Sequence, residues 1–140
     1  MSDIALTDDV QALKAEILKA PQFQPETTHM FAGGMYLRMV PRPAGCVIVG
    51  KVHKKEHFYV VAKGKVTVVS EGKRETYTAP SIVICKPGSQ KAVYAHEDSI
   101  CFTVHRTDKT DLTEIEAELV EADPESPFLP GNILSKELLT

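Results

Sequence analysis

Between residues 35 and 106 glycine and proline turns cut the chain into eight short runs of strand-forming residues, and few folds accept that spacing. Residues 35–40 are stopped by Pro41-Arg42-Pro43, residues 46–53 are rich in β-branched side chains, and residues 57–62 run to Gly64. Residues 65–70 and 74–78 flank Glu71-Gly72-Lys73, a hairpin-like turn. Ala79-Pro80 breaks the chain before residues 81–85, Lys86-Pro87-Gly88 turns it again, and residues 91–95 and 100–106 complete the set. Short strands at even spacing, with no helix between them, predict a β-sandwich or barrel.

On either side the period is helical. Val10, Leu13 and Ile17 share one helical face, with Thr7 or Asp8 as cap and Ala20-Pro21 as stop. A connector with Pro25, paired threonines and an exposed His29 follows. Asp111, with Glu114 three residues on, opens a second helix whose apolar face is Leu112, Ile115, Leu119 and Ala122. Pro124, Pro127 and Pro130 exclude a regular helix beyond it, so Phe128-Leu129 and Ile133-Leu134 read as anchors of an extended arm. The division is 1–29 for N-terminal helix and connector, 30–110 for the β domain, and 111–140 for C-terminal helix and arm.

A chain of 140 residues has room for one modest core. No apolar run approaches the roughly 18 residues of a membrane helix. The acidic start, Met1-Ser2-Asp3-Ile4, lacks the layout of a signal peptide. Cys46, Cys85 and Cys101 are odd in number and each lies in an apolar run, which predicts reduced, buried thiols. Residues 30–110 carry 13 Lys and Arg against six acids, whereas residues 111–140 carry one Lys against eight. That asymmetry does not predict nucleic-acid binding, because the basic residues are spread over many strands without clustered aromatics. Arms docked on this or a neighbouring subunit account for it better.

The chemistry concentrates between Gly45 and Gly64, where His53 and His57 stand four residues apart beside Lys51 and Lys55. Residues of equal parity on a strand share a face, so all four can point to one side. His96 lies in a His-Glu-Asp loop where Glu97 or Asp98 caps a turn. There is no Gly-x-Ser-x-Gly nucleophile motif and no phosphate-binding glycine loop.

Over about residues 35–106 the pattern resembles the cupin superfamily, small double-sheet jelly rolls. The first cupin motif is Gly-x5-His-x-His-x3,4-Glu-x6-Gly, and the second is Gly-x5-Pro-x-Gly-x2-His-x3-Asn. Counted back from Gly64, His57 takes the position of the metal-binding glutamate, His53 that of the second histidine and Lys51 that of the first. In the second motif Gly88 matches the turn glycine, Lys91 takes the histidine position and Ala95 the asparagine. The wider set resembles small cupin-like proteins encoded by tailed bacteriophages. It comprises Val52-His53-x3-His57, Lys63-Gly64, Ala79-Pro80, Pro87-Gly88-Ser89-Gln90-Lys91, Tyr94-Ala95-His96-Glu97-Asp98 and Val104-His105-Arg106-Thr107-Asp108.

The resemblance implies an all-β cupin-like jelly roll with an N-terminal helix and a C-terminal helix plus extended arm. A cupin metal is held by three imidazoles and a carboxylate, and here two of those positions are lysines, whose ammonium groups offer no lone pair. The first expectation is therefore a chain without cofactor: a non-catalytic, homo-oligomeric interaction protein, virion-associated or assembly-related. It would bind other phage structural proteins, in the host cytoplasm and then in the virion, with no membrane. The alternative is a metal-dependent enzyme or small-molecule binder holding one divalent transition metal at His53, His57 and His105. His105 would arrive on the last strand, although Ile100, Phe102 and Val104 there form the more apolar face. In a variant of that alternative, Lys51, His53, His57 and Lys91 converge on an anionic ligand, helped by Arg38 and Tyr59 if their strands face inward.

Overall fold

The computed structural model describes residues 9–19 and 24–134. Helix α1 (Val10–Lys19) starts where the Asp9 carboxylate accepts the Ala12 N–H at 3.1 Å. The expected caps Thr7 and Asp8 and the stop at Ala20-Pro21 lie outside the described residues. Nine strands follow: β1 (Thr28–Ala32), β2 (Met35–Arg42), β3 (Val47–Val49), β4 (His57–Lys63), β5 (Lys65–Ser70), β6 (Lys73–Thr78), β7 (Ser81–Cys85), β8 (Ala92–Ala95) and β9 (Ser99–Arg106). They form two antiparallel sheets, β1-β2-β9-β4-β7 and β3-β8-β5-β6, which face each other without closing into a barrel.

The core lies between the sheets. Tyr59, Val61 and Cys101 from the first sheet meet Val66, Val68, Val93 and Ala95 from the second. Each fully buried valine contributes about 1.5–3 kcal/mol over an exposed one. The three cysteines are buried and unbridged, as their apolar surroundings predict. Helix α1 covers the outer face of the second sheet, setting Leu13 against Val69 and Ala92, with Val10, Ile17 and Val49 around them. Helix α2 (Leu112–Leu119), capped by Asp111 on Thr113 N–H at 2.9 Å, packs Ile115 and Leu119 on Tyr36. Among the described residues nothing covers the outer face of the first sheet: Met30, Met35, Phe58, Ile82 and Ile84 are all exposed.

Three expectations are corrected. The connector ends in a strand, β1, so His29 is half-buried and paired with β2 instead of exposed in a loop. Strand β2 runs through Pro41, which lies past the last β1 partner, Met39, where one flank of β2 has no strand to receive an N–H. The arm is not extended over its described part. Phe128–Leu129 (β10) and Ile133–Leu134 (β11) pair as a hairpin through Gly131 and Asn132, both at positive φ. Gln24 clamps that hairpin to its own chain, donating to Asn132 O at 3.0 Å and accepting the Leu134 N–H at 2.7 Å.

Candidate metal centre

Alternate residues on each strand of the first sheet point inward, and register sets them in rows. Tyr36 lies opposite His105. His57 stands beside His105, since the next residues in turn, Phe58 and Val104, are partners, and Cys85 pairs with His57 on the other side. One row is therefore Tyr36, His105, His57 and Cys85, and the next is Arg38, Thr103, Tyr59 and Val83.

His53 reaches the same place from a loop, because the chain leaves β3 at Gly50. Its N–H donates to Ser89 O at 2.9 Å and its carbonyl accepts from Gly88 N–H at 2.7 Å. The neighbouring backbone is tied to the end of α2 by Lys54 N–H to Leu119 O at 2.8 Å and Glu121 N–H to Val52 O at 2.9 Å. Four backbone hydrogen bonds thus hold one histidine over two others.

The three imidazoles stack, with ring centroids 4.2 Å apart for His53–His57 and His57–His105, and 5.1 Å for His53–His105. All are buried, and one ligand nitrogen from each lies within 4.8 Å of the others. His57 Nδ1 is 3.0 Å from Lys55 O and donates to it, which leaves Nε2 as a lone pair facing inward. His53 Nδ1 and His105 Nε2 share one proton across 3.1 Å. His105 Nδ1 is buried with no partner. Burial pushes His53 down to about 2 and His105 to about 3, reinforced by each other's neighbours and by Lys91; burial also lowers His57. Three neutral imidazoles at pH 7 is the state a metal requires. Bound nitrogens about 2.1 Å from a metal lie roughly 3–4 Å from one another, so small ring movements would close this set around an ion.

Lys91 occupies the remaining side, buried, with Nζ 3.4 Å from His57 Nε2, 3.5 Å from Cys85 Sγ and 5.0 Å from the Tyr59 ring centre. Burial lowers its pKa, opposed by Cys85 and helped by Arg42 and Arg38. Lys51 stands apart, at the rim, in an ion pair with Glu116 at 3.5 Å. A cleft of about 860 Å³ opens beside the cluster, lined among others by His53, His105, Lys91, Tyr59, Arg38 and Arg42. Arg42 was not marked by sequence reasoning, although its even parity with Arg38 on β2 was a usable signal. Nor was the contact of His29 Nδ1 with Tyr36 Oη at 2.6 Å, which lies at the cleft's edge.

No family model matches the chain, and no curated protein does. Solved structures do. The cupin domain of Cnp3 from Schizosaccharomyces pombe superposes with a TM-score of 0.52 at 18% identity, over 69% of this chain and 71% of that one. KdgF from a Halomonas species gives 0.54 at 13% identity, over 63% and 84%. A cupin 2 conserved barrel domain protein from Salinispora arenicola gives 0.50 at 18% identity, over 57% and 73%. The fold is that of the cupins. Of the four positions that the cupin motifs reserve for metal ligands, this chain brings His53, His57 and Lys91 together, adds His105 from β9, and leaves Lys51 at the rim. None of these neighbours is described as a phage protein.

Proposed function

We propose that this protein binds one divalent transition metal through His53, His57 and His105, and acts on or carries a small molecule in the adjoining cleft. The observation that carries this reading is the convergence of three buried, neutral imidazoles beside a cleft large enough for a ligand. A metal held there would supply a Lewis acid to a ligand oxygen. Three protein ligands leave positions free, as catalytic sites require. The Lys55 carbonyl fixes the His57 tautomer and the Ser89–His53–Gly88 bonds fix the His53 backbone, so the donors are set before any ion arrives. Lys91 presents an N–H donor to the same space and would hydrogen-bond a ligand oxygen there.

Elemental analysis of the protein purified without chelator tests this. Near one equivalent of manganese, iron, nickel or zinc per chain is expected, lost in His53→Ala and His105→Ala and kept in Lys51→Ala. No metal, even after incubation with each of the four, would end the reading.

A second reading, self-association, is favoured by the bare outer face of the first sheet. Five strands about 4.8 Å apart and five residues of about 3.3 Å make a patch roughly 20 Å across. Paired with a second copy it buries on the order of 1,000 Å² in total, the lower bound for a specific interface. Ile82→Lys with Ile84→Lys should then convert a dimer to a monomer in light scattering, and an unmodified chain already monomeric at high concentration would refute it.

A further inference from the structure

We infer that the cleft takes a small organic acid with at least two carboxylates, gripped by Arg38 and Arg42 beside the histidine cluster; this rests on the cleft being a ligand site.

The charges lining the cleft do not balance. Its three carboxylates each have a lysine of their own: Asp123 with Lys14 at 2.7 Å, Glu116 with Lys51 at 3.5 Å, and Glu16 with Lys19 at 3.5 Å. Three further cations line it, Arg38, Arg42 and Lys91, and no ion pair joins them to any described residue. Arg42 Nε is buried without a hydrogen-bond partner. Glu116 acts on Arg38 at longer range but is already drawn to Lys51.

A buried lysine can shed its proton to escape such a position; a guanidinium cannot. Two arginines without an ion-pair partner among the described residues, in a partly enclosed space, therefore call for an anion that those residues do not supply. Their forks match carboxylates two hydrogen bonds at a time. Arg38 and Arg42 are both inward residues of β2, with Val40 between them, so their strand positions are about 13 Å apart. Two long side chains reaching toward each other from that separation enclose a short diacid, whereas a single phosphate would engage only one fork fully. Lys91, beside His57, lines the same cleft and would meet the end of the ligand nearest the metal-binding nitrogens.

Calorimetric titration of the metal-free protein with succinate, glutarate, succinamide and inorganic phosphate is the test. At least one diacid should bind, neutral succinamide should not, and phosphate should bind more weakly. Arg38→Gln and Arg42→Gln should each weaken the diacid tenfold or more, Arg42→Lys should restore part of the loss, and Lys19→Gln should change it less than twofold. If Arg38→Gln does not fold, Arg42→Gln carries the test. Failure of both diacids to bind, undiminished binding in Arg42→Gln, or tighter binding of phosphate would overturn the inference. Metal content of Arg42→Gln separates the two claims. Metal retained without diacid binding removes the acid site alone, and diacid binding in a protein that takes no metal removes the metal site alone.

Discussion

Four residues along the same three strands, the inner face of the first sheet changes character. At one level Val40, Cys101 and Val61 form a row at 3%, 2% and 0% exposure, closed over by Val66, Val68, Val93 and Ala95. At the other, Tyr36, His105 and His57 form a row equally buried, yet Tyr36 and His105 line a cleft. Burial alone does not separate the two; what each row is buried against does. The second sheet covers the apolar row with continuous strands, but over the polar row it thins to the three-residue β3 and the His53 loop. Unpaired buried polar atoms cost about 1–3 kcal/mol each, and this end holds His105 Nδ1 and Ser89 Oγ in that state. The apolar half offsets that cost, and the polar half is thereby kept for a ligand.

Substitutions that treat the halves alike should therefore have opposite effects. The largest loss is expected at Gly64, in the turn that closes the apolar end. It sits at φ +86, and an added Cβ would meet Asp98 O at 2.7 Å and Ser99 Cα at 2.8 Å, besides Ser99 Oγ. Gly64→Ala should cost more than about 3 kcal/mol in urea unfolding, and a loss below about 1 kcal/mol would show that the turn adapts.

Acid should act next, and on the polar half alone. With His53 held at about 2 and His105 at about 3 against 6.5 in the unfolded chain, the unfolded state binds more protons between these values. Stability of the metal-free protein should be complete above pH 6.5. It should fall on the order of 2–3 kcal/mol for each pH unit once acidified below that value, about 1.4 for each of the two histidines, measured by urea midpoints from pH 7 to 4.5. The apolar half answers to alkali: burial raises Cys46 and Cys101, so their contribution is lost only above the ordinary thiol range, near 9.

Val61→Ala, removing two methyl-sized groups from a fully buried position, should cost about 1.5–3 kcal/mol and leave metal content unchanged. The smallest effect has the opposite sign. Arg42→Met keeps the length and removes an unpaired cation, so the melting point should hold or rise by the equivalent of about 1 kcal/mol. A clear loss there would mean that Arg42 has a partner in the folded chain.

Much of this division was legible beforehand. The strands from β4 to β9 are marked by turns whose glycines and prolines have one use; His53 and His57 stand out by their spacing, Lys91 by the cupin resemblance and His105 by the strand order a jelly roll implies. What the sequence concealed was parity. Ile100, Phe102 and Val104 looked like the inward set of β9, but they lie on the outer face, and Cys101, Thr103 and His105 face inward. Alternation identifies a core face only when the other face is polar, and here Phe58, Ile82 and Ile84 make the outer face apolar too. The hairpin over β10 and β11 was hidden for another reason. Its prolines exclude a helix, but its anchor is Gln24, more than a hundred residues away. The first strand was lost because His29 and Tyr36 declare themselves only once β1 and β2 are paired.

The most direct measurement is nitrogen-15 NMR of the five histidines at pH 7, before and after one equivalent of zinc. Three neutral rings are expected, with His57 protonated on Nδ1, and a joint shift of His53, His57 and His105 that saturates at one equivalent while His29 and His96 stay in place. Zinc that moves all five in proportion to their exposure, or leaves the three buried rings unchanged, would contradict it.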